Sequence, residues 1–434
     1  MVFNWLIYTD MNYAQIDALL HKEVIPAIGC TEPVAVSLCV AKACEALGAL
    51  PQRISVALSP NIYKNAMGVG IPNTGMTGLP IAVALGAVAG KSEYELEVLK
   101  DADTAAVEQA KSYLESAEIK IDIDRETKQM LYIRAEVFAG ECSAVAVIEG
   151  AHTNFTLVSR NGEILFNAEA AESGTASDEQ ELSLSLKQVY EYATTVPLEQ
   201  IEWLKDAERM NIGAAEVSFT GSYGHGLGRL MHNSTRESIF GDTLFTKILS
   251  YTSGACDARM SGAMVPVMSN SGSGNQGISA TVPVVVFGRE KGVSDEQLLR
   301  ALALSHLTVV YIKQSLGRLS ALCGCVVAAT GSSCGITYLM GGGFNEVCFA
   351  VKNMVANLTG MICDGAKPSC SLKVTSGVST AVLSAVLAIE QRYTTSLEGI
   401  IDEDVDKCIA NLTNIGRNGM RETDKLILEI MTNK

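Results

Sequence analysis

Four of the twelve cysteines lie in two short segments in the last third of the sequence. Cys323 and Cys325 belong to a Leu-Cys-Gly-Cys segment, and Cys363 and Cys370 belong to the segment Cys-Asp-Gly-Ala-Lys-Pro-Ser-Cys. Thiolates are the ligands of Fe–S clusters, and loops at helix ends can direct several thiols at one centre. Any single cysteine is more often a buried core residue. Cys323, Cys363 and Cys370 taken together favour a metal site.

The spacing of these cysteines argues against the common zinc and dithiol sites. Structural zinc sites use two Cys-x₂₋₄-Cys or similar pairs, whereas the two segments offer Cys-x-Cys and Cys-x₆-Cys. Cys39 and Cys44 have an allowed spacing, but they lie in an apolar helical segment without a second pair. The Cys-x-x-Cys of a redox dithiol is absent. A cluster held by three thiolates, with one iron open to substrate, remains.

Cys30 lies in a different setting, directly before a predicted helix. Residues 29–33 read Gly-Cys-Thr-Glu-Pro, and an apolar helical pattern follows at residues 34–47. Pro33 in the first turn is a helix-start signal. The partial positive charge of a helix N-terminus favours a thiolate and lowers a thiol pKa. This position predicts a reactive Cys30, and the alternative is a small residue that fills a turn.

Two glycine-rich segments have the composition of loops that surround a small polar ligand. One covers residues 61–78 and includes Asn73 and Thr74, and the other is the Ser-Gly-Ser-Gly-Asn-Gln-Gly run of residues 271–277. The first segment is not a phosphate-binding Walker loop, because no Gly-Lys-Ser/Thr follows four variable residues after a glycine. It does not match a dinucleotide-binding fingerprint either. We therefore expect a small polar ligand that is not a nucleotide.

The composition restricts the partners to small molecules. The 434-residue chain carries a formal net charge of −15, which argues against nucleic acid, since nucleic acid selects a basic protein surface. The same charge argues against an anionic membrane surface. Hydrophobic residues at 48% and charged residues at 19% indicate a well-buried globular protein. The excess of apolar helices predicts a homodimer.

We expect a cytoplasmic protein with reduced thiols. Disulfide frameworks belong mainly to small secreted chains, and the first ten residues lack the basic region and apolar run of a signal peptide. Residues 319–345 carry no charge, but six glycines and a Thr-Gly-Ser-Ser break at 330–333 favour a buried, broken helix pair over a membrane span. The shorter apolar run at residues 378–389 is expected to be a core helix.

The pattern of elements predicts an α+β fold in three parts. Residues 1–91 form the N-terminal part of a helical catalytic core, residues 92–182 form an inserted α+β subdomain, and residues 183–434 form a helical Fe–S domain with glycine-rich breaks. The inserted part alternates like an antiparallel β-meander, and its Asn-Gly at residues 161–162 is a strong hairpin signal. The strands are expected at residues 119–123, 131–138, 144–149, 153–160 and 163–167.

The motifs resemble those of the L-cysteine desulfidase family along nearly the whole chain. The part from about residue 180 onward is similar, more distantly, to the α (catalytic) region of the Fe–S L-serine dehydratases. Their Cys-Asp-Pro…Pro-Cys pair matches Cys363-Asp364…Pro368-Ser-Cys370. The segments that carry the first resemblance are Gly29-Cys30-Thr31-Glu32-Pro33, Asn73-Thr74-Gly75, the 271–277 run, Leu322-Cys323-Gly324-Cys325 and residues 357–370.

The resemblance implies a lyase with a [4Fe–4S] cluster that converts L-cysteine and water to pyruvate, ammonia and hydrogen sulfide. It implies Cys323, Cys363 and Cys370 as ligands, with Cys325 the rival in the first segment and Cys334 a weaker one. Cys30 is then the candidate base for the Cα proton. Pyridoxal phosphate is not implied. The substrate-binding residues would be Thr31, Glu32, Asn73, Thr74, Ser271, Ser273, Asn275 and Gln276.

Two departures from the dehydratase pattern leave alternatives open. Dehydratases can place a cysteine near their C-terminus on the cluster, whereas the last cysteine here is Cys408. The Ser-His-Thr loop of their small β domain has no match. L-serine dehydration is therefore a second enzyme activity to test. A non-catalytic Fe–S or thiol sensor for a small amino acid is the alternative from another class, and it would not need a base-like thiol beside an open iron.

Overall fold

The structure is a computed structural model that describes residues 3–168, 182–233, 239–317 and 320–433, with side chains from residue 13 onward. Its α-helices are α1 (Phe3–Glu23), α2 (Thr31–Leu47), α3 (Pro60–Ala66), α4 (Leu79–Ala89), α5 (Thr104–Ser116), α6 (Leu186–Thr195), α7 (Leu198–Ile201), α8 (Leu204–Thr220), α9 (Leu227–His232), α10 (Leu244–Met260), α11 (Gly274–Lys291), α12 (Asp295–Leu316), α13 (Gly324–Leu339), α14 (Phe344–Leu358), α15 (Cys370–Ile389), α16 (Val405–Asn414) and α17 (Arg421–Thr432). The strands are β1 (Pro26–Ile28), β2 (Arg53–Leu58), β3 (Glu118–Ile123), β4 (Tyr132–Ala139), β5 (Cys142–Glu149), β6 (Phe155–Arg160), β7 (Glu163–Asn167) and β8 (Pro266–Met268).

The predicted α+β class is confirmed, and the larger sheet has six strands in the order β3-β2-β4-β5-β6-β7. Neighbours from β4 to β7 are antiparallel, as expected for a meander. Asn161 and Gly162 form the last hairpin turn with φ angles of 51° and 83°. The pairing of β2 with β3 is parallel and was not expected. Because β2 precedes the predicted insertion, the sheet combines strands from the first two predicted parts, and the division into three parts stays a prediction.

The buried apolar side chains form two cores that meet beside Cys30. In the first core, α2 and α4 cover one face of the six-stranded sheet. In the second core, α1 and α6 pack with the helices from α8 to α16. Cys30 belongs to the second core, whereas Val34, one turn further along α2, belongs to the first. The start of α2 therefore lies where the two cores join.

The helix α13 lies in the middle of the second core, between α11, α12, α14 and α15. Its side chains are buried without interruption over residues 325–337. The expected break at residues 330–333 is wrong, because the helix continues through them. Thr330 donates to the Val326 carbonyl of its own helix, and Ser333 donates to the Ala381 carbonyl of α15. These bonds satisfy the hydroxyl groups inside the core.

Among the described residues, α15 is the one helix long and apolar enough to cross a membrane by length and composition. One of its faces packs against α10, α13 and α14. This packing confirms that residues 378–389 belong to a core helix. The opposite face exposes three leucines, Leu372, Leu383 and Leu387.

Candidate functional site

A two-stranded sheet brings the Cys30 segment and the 271–277 run together. β1 pairs antiparallel with β8, with Ala27 opposite Val267. β1 leads into the start of α2, and β8 leads into the start of α11. The hydroxyl of Thr31 donates to the Gly272 carbonyl at 3.0 Å, across 241 residues of sequence. Two helix N-termini from distant parts of the chain are therefore held side by side.

The two cysteine segments are joined by backbone hydrogen bonds. The Cys323 amide donates to the Met361 carbonyl at 2.9 Å, and the Cys363 amide donates to the Ala321 carbonyl at 2.6 Å. Cys323 directly precedes α13, and Cys370 is the first residue of α15. The backbone pairing places Cys323, at the start of α13, beside Cys363, in the loop that leads to α15.

These four segments surround one small cavity of about 110 Å³. That volume is well below the roughly 300–1,000 Å³ of pockets for drug-sized ligands, so the cavity suits a small molecule. Six lining residues outside the predicted set also contribute polar groups. The predicted site residues that line the cavity are Cys30, Glu32, Ser273, Asn275, Gln276, Cys323, Cys363 and Cys370. The additional residues are Asn65, Arg259, Lys313, Ser320, Cys325 and Lys373.

Four predicted substrate-binding residues do not line the cavity. Thr31 and Ser271 are buried, and their hydroxyls hold the loop, since Thr31 bonds to Gly272 and Ser271 donates to Asn270 Oδ1 at 2.8 Å. Thr74 donates to the Ile71 carbonyl within its own turn. Asn73 is exposed and donates to a carbonyl of the first core. The structure thus assigns these four side chains to local structure and not to the wall of the cavity.

The thiol of Cys30 is buried and paired with a carboxylate. It is 2% exposed and donates to Glu32 Oε2 at 3.3 Å, while Glu32 Oε1 accepts from Asn65 Nδ2 at 3.1 Å. Burial raises the pKa of Cys30, the Glu32 carboxylate raises it further, and the Arg259 guanidinium opposes both. The expected lowering of this pKa is therefore wrong, because desolvation outweighs the effect of the helix terminus.

The thiols of the two cysteine segments are crowded together. Cys323 Sγ lies 3.3 Å from Cys325 Sγ. Hydrogen bonding to Cys325 raises the pKa of Cys323, and hydrogen bonding to Cys323 raises the pKa of Cys363, with burial adding to both shifts. Neighbouring thiols resist ionisation because each new negative charge lies beside another. A metal cluster would remove this penalty, since it binds the thiolate form.

Two lysines bring positive charge to the Cys363 loop. Lys367 Nζ lies 2.6 Å from Asp364 Oδ1, and Lys373 Nζ also pairs with Asp364 and donates to the Ile362 carbonyl at 2.8 Å. Burial opposes ionisation of Asp364, but the two ammonium groups lower its pKa to about 2. These cations can balance the negative charge of a thiolate-bound cluster.

All twelve cysteines are free thiols, and most lie away from the cavity. Cys334 is buried within α13, and burial raises its pKa to about 12. Cys39 is buried in the first core, where it donates to the Ala146 carbonyl. Cys256 is buried in α10, and its pKa is raised first by burial and then by the neighbouring Cys370. The sequence spacing of Cys256 and Cys370 did not predict that they lie close together.

The thiols that line the cavity are the donors that an Fe–S cluster uses. Among the residues that the structure describes, no three His, Cys, Asp or Glu side chains are arranged to hold one ion. In a [4Fe–4S] cluster each thiolate binds a different iron, so the ligands are spread more widely. Cys323, Cys363 and Cys370 line one cavity from three helix starts or loops, and Cys325 is a fourth thiol beside them.

Arg259 and Asn65 line the cavity, but the sequence motifs did not predict either of them as a site residue. Arg259 is 3% exposed on the buried helix α10, and Asn65 is 8% exposed at the end of α3. Buried polar atoms without partners include Arg259 Nε, Asn65 Oδ1 and Gln276 Oε1. The sequence signal for Arg259 was a charged residue within a run of mostly small residues.

Comparisons with known proteins show the families to which the chain is similar. Residues 93–429 match the serine dehydratase alpha chain family. A UPF0597 protein of Bacteroides fragilis is 62% identical over 426 residues, which cover 98% of this chain and 99% of the relative. A UPF0597 protein of Bacteroides thetaiotaomicron is 61% identical over 423 residues (97% and 98%). One of Oleidesulfovibrio alaskensis is 43% identical over 416 residues (96% and 97%).

The family match therefore indicates a lyase of the serine dehydratase type. The chain belongs to the serine dehydratase alpha chain family and to the UPF0597 proteins. The family match begins at residue 93, well before the expected start near residue 180. It includes most of the six-stranded sheet in addition to the helical region. The names of these relatives do not specify L-cysteine as a substrate.

Proposed function

We propose that the protein is an Fe–S-dependent lyase that eliminates sulfide from L-cysteine and yields pyruvate, ammonia and hydrogen sulfide. The observation that supports this activity best is the shared cavity. It joins the Cys30–Glu32 pair to Cys323, Cys363 and Cys370. A sensor would need the thiols and a ligand pocket, but it would not need a thiol–carboxylate pair facing them.

Cys323, Cys363 and Cys370 are the residues that would hold a [4Fe–4S] cluster, with Cys325 as the alternative to Cys323. The cluster supplies a Lewis-acidic iron with affinity for a soft sulfur leaving group. Lys373 lines the same cavity and Lys367 lies beside Asp364, so both keep positive charge near the thiolates.

Cys30 and Glu32 are proposed to move the Cα proton. Because burial keeps Cys30 protonated, the thiol must first lose its proton, and Glu32 Oε2 already accepts its hydrogen bond. The thiolate then takes the Cα proton while the bond between Cβ and sulfur breaks. The departing hydrosulfide takes up the proton held by Glu32 and leaves as hydrogen sulfide. The aminoacrylate that remains tautomerises to an imine, which water hydrolyses to pyruvate and ammonia.

The remaining substrate contacts are proposed for Glu32, Ser273, Asn275 and Gln276, which line the cavity. Asn73, Thr74, Thr31 and Ser271 are left out of this set, because their side chains do not face it. L-serine is the second candidate substrate, and the family match favours testing it directly.

The test is anaerobic purification and reconstitution, followed by iron and sulfide analysis and assays with both amino acids. We expect about four irons per chain, sulfide release from L-cysteine, and a lower kcat/KM for pyruvate formation from L-serine. A higher kcat/KM for L-serine would make the protein a serine dehydratase. A bound cluster without turnover of either substrate would favour the sensor.

Two further proposals concern the cellular location and the oligomeric state of the enzyme. We place it in the cytoplasm, where its free thiols stay reduced. We also propose a homodimer, and the exposed leucine face of α15 offers apolar surface that a second copy would cover. Light scattering under anaerobic conditions tests this, and a mass of 46.1 kDa would identify a monomer.

A further inference from the structure

Arg259 is a buried cation without a carboxylate partner. Its side chain is 3% exposed and lines the cavity. Nη1 donates to Asn275 Oδ1 at 3.1 Å, and Nε has no partner. Among the described residues, no carboxylate oxygen lies within the 4.0 Å of an ion pair from this guanidinium. A buried charge is expensive unless an opposite charge accompanies it, so the cavity is built to receive an anion here.

The position of Arg259 is fixed by the start of α11. A Cβ atom at Gly274 would lie 2.2 Å from Arg259 Nε, so the guanidinium packs directly against this glycine. Asn275, the next residue, holds Nη1 from the other side and donates to Met260 Sδ. The guanidinium is thus oriented before any ligand arrives. A planar, preorganised guanidinium is the side chain best suited to bind a carboxylate through two hydrogen bonds.

Two acceptors of the same cavity lack donors. Gln276 Oε1 and Asn65 Oδ1 are buried and have no hydrogen-bond partner. The amide nitrogen of Asn65 is committed to Glu32, so its free oxygen is available to a ligand. An ammonium group offers three donors and no acceptor. Arg259 can pair with a carboxylate, and the two free amide oxygens can accept from an ammonium group. Together they complement the two charged groups of a zwitterionic α-amino acid.

We propose that Arg259 binds the α-carboxylate of the substrate, with Gln276 and Asn65 accepting from its α-ammonium. The site would then select free α-amino acids and reject their esters. This inference rests on the proposed function only in taking the substrate to be an amino acid. Arg259 would be a residue of substrate recognition, whereas Cys30 and the cluster ligands would carry the reaction.

The decisive comparison is L-cysteine against L-cysteine methyl ester. Esterification makes the Cα proton more acidic, so a slower reaction of the ester reports recognition and not chemistry. A charge-assisted hydrogen bond contributes about 1.5–3 kcal/mol, which corresponds to roughly a tenfold to hundredfold preference for the free acid in kcat/KM. Arg259→Gln should abolish this preference, and Arg259→Lys should retain part of it. Arg289→Gln is the control, because Arg289 is a surface residue of α11 paired with Glu208.

A second measurement does not depend on turnover. L-Alanine has no leaving group, and it should raise the unfolding temperature of the reconstituted wild-type protein. L-Alanine methyl ester should not raise it, and L-alanine should have no effect on Arg259→Gln. If Arg259→Gln fails to fold, the comparison of acid and ester in the wild-type protein and in Arg259→Lys still decides the question.

Failure of the proposed lyase activity and failure of carboxylate recognition by Arg259 would give different results. Stabilisation by L-alanine that depends on Arg259, without sulfide or pyruvate formation, would overturn the proposed activity and support carboxylate recognition. Equal kcat/KM for L-cysteine and its ester in the wild-type enzyme would overturn carboxylate recognition and leave the activity intact. An unchanged acid preference in Arg259→Gln, or no stabilisation of the wild-type protein by L-alanine, would also overturn it. The role of Arg259 would then be to balance the charge of the thiolates.

Discussion

Cys30 is held protonated by its surroundings, and this determines how it can serve as a base. A helix N-terminus stabilises a negative charge by about 0.3–1 kcal/mol, whereas complete burial of a charged group costs roughly 4–7 kcal/mol. Burial is therefore the larger effect at Cys30, which is 2% exposed. The ammonium of a bound amino acid would bring positive charge beside this thiol. Substrate binding is thus expected to favour the thiolate, so that the base forms only when it is needed.

Replacing Cys30 with serine should separate catalysis from cluster binding. Serine nearly preserves the size of the side chain, but its much higher pKa provides no usable base at neutral pH. We expect normal iron content and a kcat at least about a hundredfold lower, since a positioned acid–base group contributes roughly 10²–10⁴-fold. Exchange of the substrate Cα proton should be lost as well.

Cys39→Ser is the matched control, because Cys39 is a buried thiol of α2 outside the cavity. Near-normal turnover of Cys30→Ser would show that Cys30 only fills its turn. Loss of iron in Cys30→Ser would make it a cluster ligand, and the base would have to be sought among the other cavity residues.

The three proposed ligands should each be needed for the cluster. Cys323→Ala, Cys363→Ala and Cys370→Ala are expected to lower iron content after anaerobic reconstitution, as each removes one thiolate from the donor set. Cys334→Ala should bind iron normally, because Cys334 lies inside α13 and does not line the cavity. Iron loss in Cys325→Ala, with normal iron in Cys323→Ala, would move the first ligand by two positions. Full iron content in Cys370→Ala would remove that residue from the set.

At the level of elements, the loop before α11 depends on a neutral histidine. His306 of α12 is fully buried and accepts at Nδ1 from Asn270 Nδ2 at 3.0 Å. Its Nε2 lies 2.9 Å from Thr281 Oγ1, which itself donates to the Gly277 carbonyl. This pattern matches the neutral ring with its proton on Nε2. A second proton on Nδ1 would face the amide of Asn270, so protonation would disturb the loop that leads to Ser271.

The stability of the protein should therefore fall in acid through His306. Burial lowers the pKa of His306 to about 3, from its usual 6.5. Above pH 6.5 neither the folded nor the unfolded state is protonated, so this stabilising contribution is fully present. Below pH 6.5 only the unfolded state takes up the proton, and stability declines by up to about 1.4 kcal/mol per pH unit until about pH 3.

The measurement is the free energy of unfolding of wild type and His306→Gln between pH 7.5 and pH 4. Other groups titrate in both proteins, so the difference between the two curves isolates His306. The variant should be less stable at neutral pH, and the gap should narrow as the pH falls. A gap that stays constant would contradict this role for His306.

At the level of the whole molecule, a buried ion pair joins the C-terminal helix to the site. Lys64 of α3 is 2% exposed and pairs with Asp424 of α17. The Lys64 carbonyl lies against Gly365, where a Cβ atom would come within 2.2 Å and φ is +85°. Gly365 lies between Cys363 and Cys370, so this close contact fixes the loop that carries two proposed ligands. Only glycine combines that φ angle with that approach.

Removing the two members of this pair should have unequal effects. Asp424→Asn leaves the ammonium of Lys64 buried without a partner and should cost about 3–5 kcal/mol of stability. Lys64→Met leaves the carboxylate of Asp424, which is 23% exposed and partly hydrated, so the cost should be smaller. Denaturant unfolding of both variants tests this order, and iron content reports the effect on the loop. Equal losses of stability would contradict this order and show that the deeper burial of Lys64 does not determine the cost.

Much of this protein was determined by local sequence patterns. Strands β4 to β7 and their Asn-Gly turn follow from alternation and turn chemistry, and the start of α2 follows from the Pro33 signal. The thiol segments around Cys323 and Cys363 were recognisable because their residue types and spacing lie within a few positions. These features depend on neighbours in the chain, which the sequence displays directly.

Only the tertiary structure decided the contacts and pKa shifts that depend on residues distant in the sequence. The β1–β8 pairing and the bond from Thr31 to Gly272 bring Cys30 to the thiols, and neither is visible in local spacing. The pKa of Cys30 rises where a helix start alone predicted a fall, because burial is a property of the packed core. Arg259 became a candidate for substrate recognition only through its burial and its missing partner. Desolvation and long-range contacts set these properties, and both arise only when the two cores pack around one cavity.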